Sequence, residues 1–274
     1  MINFDKRRSM GIALVVFAAV FLLTAHASVA LARPRLSDLY GWLLFVSILF
    51  LALYGVRKRL PFLPLLSSET WLQFHIYVGL FTALLFGLHV RWRWPSGWFE
   101  GALAAFYALV MLSGFAGLFL SRTLPRRLTT RGSEVVFDLI PVVRRALQEQ
   151  VEALALKSVA DNRSPIIADF YTHQLHGFFA RTQNFWLHVF EVRSPLNSLQ
   201  NKIGDLHRFL NEQERSTLDQ IADLVRRKDG LDYQYALQLT LKLWLFVHVP
   251  LTYSLLLFTL LHIVLVFAFS GGAR

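Results

Sequence analysis

Cysteine is absent from this chain of 274 residues. Its absence excludes disulfides, thiolate-bound iron–sulfur clusters, cysteine zinc sites and covalently attached c-type haem. Charged residues are scarce, at 17% against about 25% in an ordinary soluble domain, while hydrophobic residues reach 55%. This composition argues against a soluble enzyme and leaves histidine as the softest metal ligand in the chain.

The few charges are unevenly distributed. Residues 122–242 hold 17 of the 28 Lys and Arg residues and 14 of the 18 Asp and Glu residues. Two physical environments therefore share one polypeptide. The net charge of +10 does not by itself indicate nucleic acid, because membrane proteins carry basic residues in their cytoplasmic loops. We expect no nucleic-acid partner.

Five uncharged hydrophobic segments are long enough to cross a membrane, which takes roughly 20 apolar residues in a helix. They are Gly11 to Ala32, Leu39 to Val56, Trp71 to Val90, Gly101 to Ser121 and Leu243 to Ser270. Residues that break helices separate them, among them Pro95, Gly97 and Pro125. We therefore predict an all-α membrane protein with five transmembrane helices in contact with lipid.

The basic residues predict the orientation of these helices. The first segment imitates a signal peptide, but its 22 uncharged residues exceed the roughly 7–15 of a signal core, which favours an uncleaved helix. Loops on one side hold ten Lys and Arg residues and those on the other side hold five. The positive-inside rule then predicts a multi-pass protein of the cell inner (cytoplasmic) membrane, with its carboxyl terminus outside.

A polar insert separates the fourth and fifth segments and is predicted to be helical and cytoplasmic. Its candidate helices are Glu134 to Lys157, Ile166 to Val192 and Asn197 to Lys228, followed by a turn at Asp229-Gly230. It contains no phosphate-binding loop or dinucleotide fingerprint. The predicted divisions of the chain are residues 1–38 for the first helix, 39–121 for helices two to four, 122–242 for the insert and 243–274 for the fifth helix.

Histidines inside the apolar segments carry the functional signal, because ionisable groups are costly there. His75 and His89 lie on the third segment, His248 and His262 on the fifth, and each pair is separated by 14 residues. Fourteen residues span about 21 Å of helix and close to four turns, so each pair occupies one face of its helix. The two segments run in the same direction, which predicts His75 level with His248 and His89 level with His262.

Facing imidazoles at two depths suit haem iron with histidine at both axial positions. We predict two b-type haems in a four-helix bundle, with these four histidines as ligands. A lone intramembrane histidine is equally well explained as a core residue bonded to a backbone carbonyl. A metal-transport path is a further alternative, but it would more naturally include Asp or Glu in the segments.

Several short motifs accompany the histidines. Gly41 and Gly55 on the second segment are also 14 residues apart, and four further stretches stand out: His75-Ile-Tyr-Val-Gly79, His89-Val-Arg91, Gly114-Phe-Ala-Gly117 and His248-Val-Pro250. With these motifs, segments two to five resemble the di-haem cytochrome b membrane bundle. They are similar also to the membrane domain of ferric reductases and NADPH oxidases. The cytochrome b resemblance implies that glycines let haem lie close to a helix backbone.

The chain also departs from these families. The fourth segment lacks a second glycine 14 residues from Gly114 or Gly117, and Pro250 follows His248 by only two residues. A polar insert replaces the usual short connection. No flavin or NADPH domain follows the fifth segment, so we do not expect a self-contained NADPH oxidase.

Supporting residues have two interpretations each. Arg91 and Arg93 are candidates to pair with haem propionates, or are ordinary membrane-flanking residues. Gly79 and Gly114 either admit the macrocycle or allow close helix packing. The remaining histidines are interpreted as structural, with a quinone contact of His26 left open. They are His26, His173, His176, His188 and His207.

The predicted function is electron transfer between the two membrane faces as the membrane subunit of a redox complex. We expect quinone or quinol at one end and a peripheral redox protein at the other, with the insert as the docking candidate. The alternative from another class is a non-redox membrane scaffold or sensor.

Overall fold

The computed structural model describes residues 4–29, 36–59, 67–129, 135–162 and 165–270. Within them the fold is all-helical, without a strand, which confirms the predicted class. The helices are α1 Phe4–Val29, α2 Leu36–Arg59, α3 Ser68–His89, α4 Trp98–Leu128, α5 Ile140–Asn162, α6 Ile166–Phe170, α7 His176–Ala180, α8 Phe185–Val189, α9 Ser194–Leu206 and α10 Glu212–Ser270. Short 3-10 turns occupy Phe137–Leu139 and His207–Phe209, and a π-helical turn occupies Tyr171–Leu175.

Five of these helices are long and apolar enough to cross a membrane, as predicted: α1, α2, α3, α4 and α10. Their most apolar stretches bury few residues inside the protein, between 0% and 22%. Apolar side chains that do not face a protein core are suited to lipid. The chain is accordingly a multi-pass membrane protein.

The chain divides into two compact units. The membrane unit comprises residues 1–118 and 245–274, and its core includes Tyr40, Leu44 and Ile48 of α2. These residues recur every four positions and therefore share one face of that helix. They pack in one cluster with Leu85 and Leu88 of α3, so α2 and α3 pack closely against each other.

The polar unit comprises residues 119–244 and has a conventional hydrophobic core. Along α5, Leu147, Val151 and Ala155 recur every four residues and are buried. They pack against α10, where Leu218 and Val225 are fully buried. The amphipathic pattern of the insert thus produces a helical unit with an apolar interior.

Two predicted breaks are wrong. Pro125 lies inside α4, three residues before its end, so the helix continues for most of a turn although the proline cannot donate to the carbonyl four residues earlier. Asp229-Gly230 lies inside α10 rather than in a turn. A glycine costs about 1 kcal/mol in a helix, but the helical spacing brings Lys228 onto Asp232 in a buried ion pair. Burial therefore overrides the local turn preference.

The predicted helix from Ile166 to Val192 is also wrong in extent. The structure has three short α-helices there, with the π-helical turn between α6 and α7. Arg181 is extended, and Asn184 has a φ of 58°, in the left-handed region where a helix cannot continue. The other two candidate helices begin and end elsewhere: α5 runs five residues beyond Lys157, and a 3-10 turn separates α9 from α10.

Candidate functional site

Two histidines predicted to face each other lie close together near the end of α3. The ring centres of His89 and His262 are 6.5 Å apart, and the ring planes are nearly perpendicular at 85°. Phe99 of α4 stacks on His262, with ring centres 6.4 Å apart. One imidazole from α3 and one from α10 thus approach each other within the membrane unit.

Backbone contacts determine how His89 is oriented. Its Nδ1 lies 2.9 Å from the carbonyl oxygen of Ser37, and the Ser37 hydroxyl donates to the His89 carbonyl at 2.7 Å. A carbonyl oxygen only accepts, so Nδ1 carries the proton and the neutral ring has its lone pair on Nε2. An imidazole held through Nδ1 by a backbone carbonyl is the usual arrangement of a metal-bound histidine.

Gly41 of α2 lies against the His89 ring, next to its Cε1 and Nδ1 atoms. A Cβ at this position would lie 2.8 Å from Cε1 and 2.9 Å from Nδ1 of His89. No side chain fits there without moving the ring. The cytochrome b resemblance implies that Gly41 makes room for haem. In the structure Gly41 makes room for the His89 imidazole.

The second predicted pair is His75 with His248. The Tyr54 ring packs against His75, with ring centres 5.2 Å apart. His75 Nδ1 is buried and has no partner in hydrogen-bonding geometry among the residues that the structure describes. Nδ1 of His248 lies 3.1 Å from the hydroxyl of Ser113 on α4.

Both pairs follow from helix geometry. His75 and His89 share the uninterrupted α3, and His248 and His262 share α10, which continues through Pro250. Fourteen helical residues correspond to about 21 Å along each axis. The two histidines on each helix are therefore well separated along its axis.

The remaining predicted glycines have different surroundings. A Cβ on Gly55 would meet the Tyr253 hydroxyl at 3.4 Å, and one on Gly114 would meet His248 Cε1 at 4.0 Å. A Cβ on Gly79 would find nothing within 4 Å. Gly41 and Gly114 thus face the two histidine pairs, whereas Gly79 faces open space.

Arg91 and Arg93 are exposed in the turn that follows His89. Arg91 and Trp92 have φ angles of 54° and 57°, and the Trp92 amide donates to the Gly87 carbonyl to end α3. Arg91 is thus held in a defined turn immediately after a candidate ligand.

The other described histidines have partners of their own. His26 Nδ1 lies 3.0 Å from the Tyr40 hydroxyl, and His173 Nδ1 lies 2.9 Å from the Asp169 carbonyl oxygen. His176 contacts the Tyr171 ring edge-on, and His207 pairs with Asp219. His188 differs from the expected ordinary helix residue because it is buried beside Asp229. Across the described ranges, no group of three or more His, Asp or Glu residues is placed to hold a metal ion.

Three supporting residues were not identified from the sequence: Ser37, Ser113 and Phe99. Serine hydroxyls and backbone carbonyls are common in any helix, so nothing local marks the ones that reach a histidine. Ser113 immediately precedes Gly114, and this adjacency is the one signal that could have suggested it.

The geometry of the His89–His262 pair fits a haem group. Two imidazoles on one metal, each with a bond of roughly 2 Å and a further 1 Å or so to the ring centre, would have centres about 6 Å apart. The observed 6.5 Å between His89 and His262 agrees with this.

Comparisons with protein-family models, curated proteins and solved structures find no match for this chain.

Proposed function

We propose that this protein is a di-haem b-type cytochrome that transfers electrons across the membrane. His89 and His262 would hold one haem through their imidazoles, and His75 and His248 would hold the other. When bound, haem supplies reversible one-electron oxidation and reduction at its iron. The protein supplies the ligands, their orientation and their separation across the bilayer.

The His89 contacts carry this proposal. The Ser37 carbonyl selects the tautomer that leaves Nε2 basic, and Gly41 leaves room for the ring in that position. His262 lies at the distance that a second ligand of the same metal would have. A histidine that only filled a core would need no partner imidazole at this distance.

The surrounding residues have supporting roles. The Ser113 hydroxyl contacts Nδ1 of His248, whereas the Ser37 backbone carbonyl accepts from Nδ1 of His89, and such hydrogen-bond partners orient a ligand. Arg91 and Arg93, which follow His89 in the chain, would pair with the propionates of the haem at His89. Partial burial of the four histidines limits access of water to the metal.

The two haems connect the two sides of the inner membrane. The polar unit lies on the cytoplasmic side, and the His75–His248 pair is the one nearer that side. Quinone or quinol exchanges electrons at one end and a peripheral redox protein at the other. The chain thus serves as the membrane subunit of a larger redox complex.

Visible spectroscopy on the purified protein tests the proposal. We expect a sharp α-band on reduction and two haems per chain by pyridine haemochrome assay. His89→Ala and His262→Ala each remove the same haem, and His75→Ala and His248→Ala each remove the other, because a haem with one axial ligand is held weakly.

His26→Ala is the matched control, since His26 is a partly buried histidine of the same unit that bonds to Tyr40 instead. It should keep both haems. A colourless folded protein would favour the scaffold or sensor alternative. Retention of both haems in His89→Ala would refute the pairing.

A further inference from the structure

The polar unit displays exposed aromatic side chains in one short segment, residues Phe185–Phe190. This segment, which consists of the short helix α8 and the residue after it, is called the aromatic loop. Trp186 is 67% exposed and Phe190 is 73% exposed. Their rings are nearly parallel, with centres 6.3 Å apart, because residues four apart lie on one face of the α8 turn. Exposed clusters of large apolar side chains mark interaction surfaces.

The aromatic loop is held firmly from behind. Arg127 Nη2 donates to the carbonyl oxygens of His188, at 3.2 Å, and Val189, at 2.9 Å. His188 points inward and is buried, with its ring centre 6.1 Å from that of Tyr233. Trp186 and Phe190 are therefore presented outward by an anchored backbone.

Arg127 also places the loop near the membrane. It lies on α4, six residues past Ser121, where the uncharged segment ends, and this corresponds to about 9 Å of helix. Each headgroup layer is roughly 5–8 Å thick. With the hydrocarbon region ending at Ser121, as the sequence predicts, the aromatic loop that is bonded to Arg127 comes within side-chain reach of the headgroups. Ser121 and Arg127 both belong to the polar unit, so the roughly 9 Å of helix between them lies within that unit.

The charges around the loop suit anionic headgroups. Arg181 and Arg193 flank it and are exposed, as is Arg126. Glu191 is the one acidic residue between Arg181 and Arg193, and it pairs with Arg127 at 2.8 Å. Apolar aromatics between basic residues are the composition of segments that lie in the membrane interface.

We propose that the aromatic loop inserts Trp186 and Phe190 into the headgroup region of the bilayer on its own side, as a membrane-surface anchor of the polar unit. A protein partner would also favour exposed Trp and Arg residues. The hydrogen bonds from Arg127, in the last turn of α4, to the loop favour lipid, because they keep the loop next to the end of a membrane-spanning helix. This inference is independent of haem binding.

The absence of cysteine permits a direct test with single-cysteine variants. Phe190→Cys carries an environment-sensitive fluorophore, and the protein is reconstituted in nanodiscs of phosphatidylcholine and phosphatidylglycerol. We expect the fluorophore at residue 190 to emit at a shorter wavelength than the same fluorophore at the control site. We also expect lipid-borne nitroxide to quench it at least about twofold more strongly, because a side chain in the headgroup region lies close to lipid. Trp186→Cys provides a second site if the first variant folds poorly.

Phe209→Cys is the matched control, since Phe209 has the same 73% exposure. It precedes the start of α10 at Glu212, which is 31 residues and about 46 Å of helix from Leu243. A label there should be quenched by aqueous iodide and spared by lipid nitroxide. Iodide access without lipid quenching at residue 190 would overturn the proposal. Protection from both quenchers would also overturn it, because protein would then cover the loop.

Discussion

The two units of this chain differ in whether their apolar side chains are exposed or buried. In the membrane unit, Phe17 and Phe21 of α1 are 73% and 65% exposed. In the polar unit, Leu218 and Val225 are fully buried. The difference shows that one polypeptide is folded for two solvents: lipid accepts outward apolar residues, whereas water drives them into a core.

Polar groups differ in the same sense. Inside the membrane unit, His89 bonds to the Ser37 carbonyl and His248 to the Ser113 hydroxyl, and both contacts are between uncharged groups. The polar unit instead buries a charged pair, Lys228 with Asp232. Three predictions test this contrast, beginning with the largest expected effect.

Lys228→Met should destabilise the polar unit by about 3–5 kcal/mol, because it leaves the Asp232 carboxylate buried without its ion pair. Lys228 also donates to the Arg181 carbonyl at 2.9 Å. Hydrogen exchange should accelerate at the amides of α5, while amides of α2 and α3 keep their protection.

Arg145→Met is the control for this variant. Arg145 pairs with Glu149 at 3.4 Å on the surface, and such pairs contribute at most about 1 kcal/mol. Replacing both Lys228 and Asp232 with apolar residues should recover much of the loss. Equal exchange in Lys228→Met and Arg145→Met would contradict the importance of the buried pair.

Gly41→Ala should cost the membrane unit about 1–3 kcal/mol, because the new methyl group forces the His89 ring away from the Ser37 carbonyl. Thermal unfolding measures the loss, and haem content should fall at the His89 pair. Gly79→Ala is the matched control, since within the described part of the chain a Cβ there meets nothing within 4 Å beyond its chain neighbours and its own helix backbone. If both variants melted like wild type, the close packing of Gly41 on His89 would be refuted.

Ser113→Ala should have the smallest effect, about 1 kcal/mol, for one hydrogen bond to His248. Loss of such a partner typically weakens metal binding 10–100-fold, which haem titration would measure at the His75–His248 pair. Ser47→Ala is the control, because Ser47 bonds only to Leu43 of its own helix in the contacts described. Identical titrations would show that Ser113 does not orient His248.

Much of the membrane unit could be predicted from local sequence. The five long apolar helices follow from segment length and the absence of charge, and His75 and His89 share a face because α3 is regular between them. The polar unit was predicted less well. There, Gly230 and Pro125 suggested breaks that the structure does not make.

The reason is that local signals compete with distant contacts. Asp229 and Gly230 favour a turn by themselves, but the buried contacts of Lys228 and Asp232 need a helix through them. Conversely, the stretch from Ile166 to Val192 looks like one helix, yet the left-handed Asn184 interrupts it immediately before α8. Neither outcome is encoded within a window of neighbouring residues.

The amino-acid sequence alone determined the helical class, the apolar segments and the 14-residue spacing of the histidines, since these depend on composition and on the period of the helix. Only the tertiary structure decided that the Ser37 carbonyl orients His89, that Gly41 faces its ring and that Arg127 holds the aromatic loop. Those contacts join residues 48 to 62 positions apart. They depend on how helices pack, which no single segment specifies.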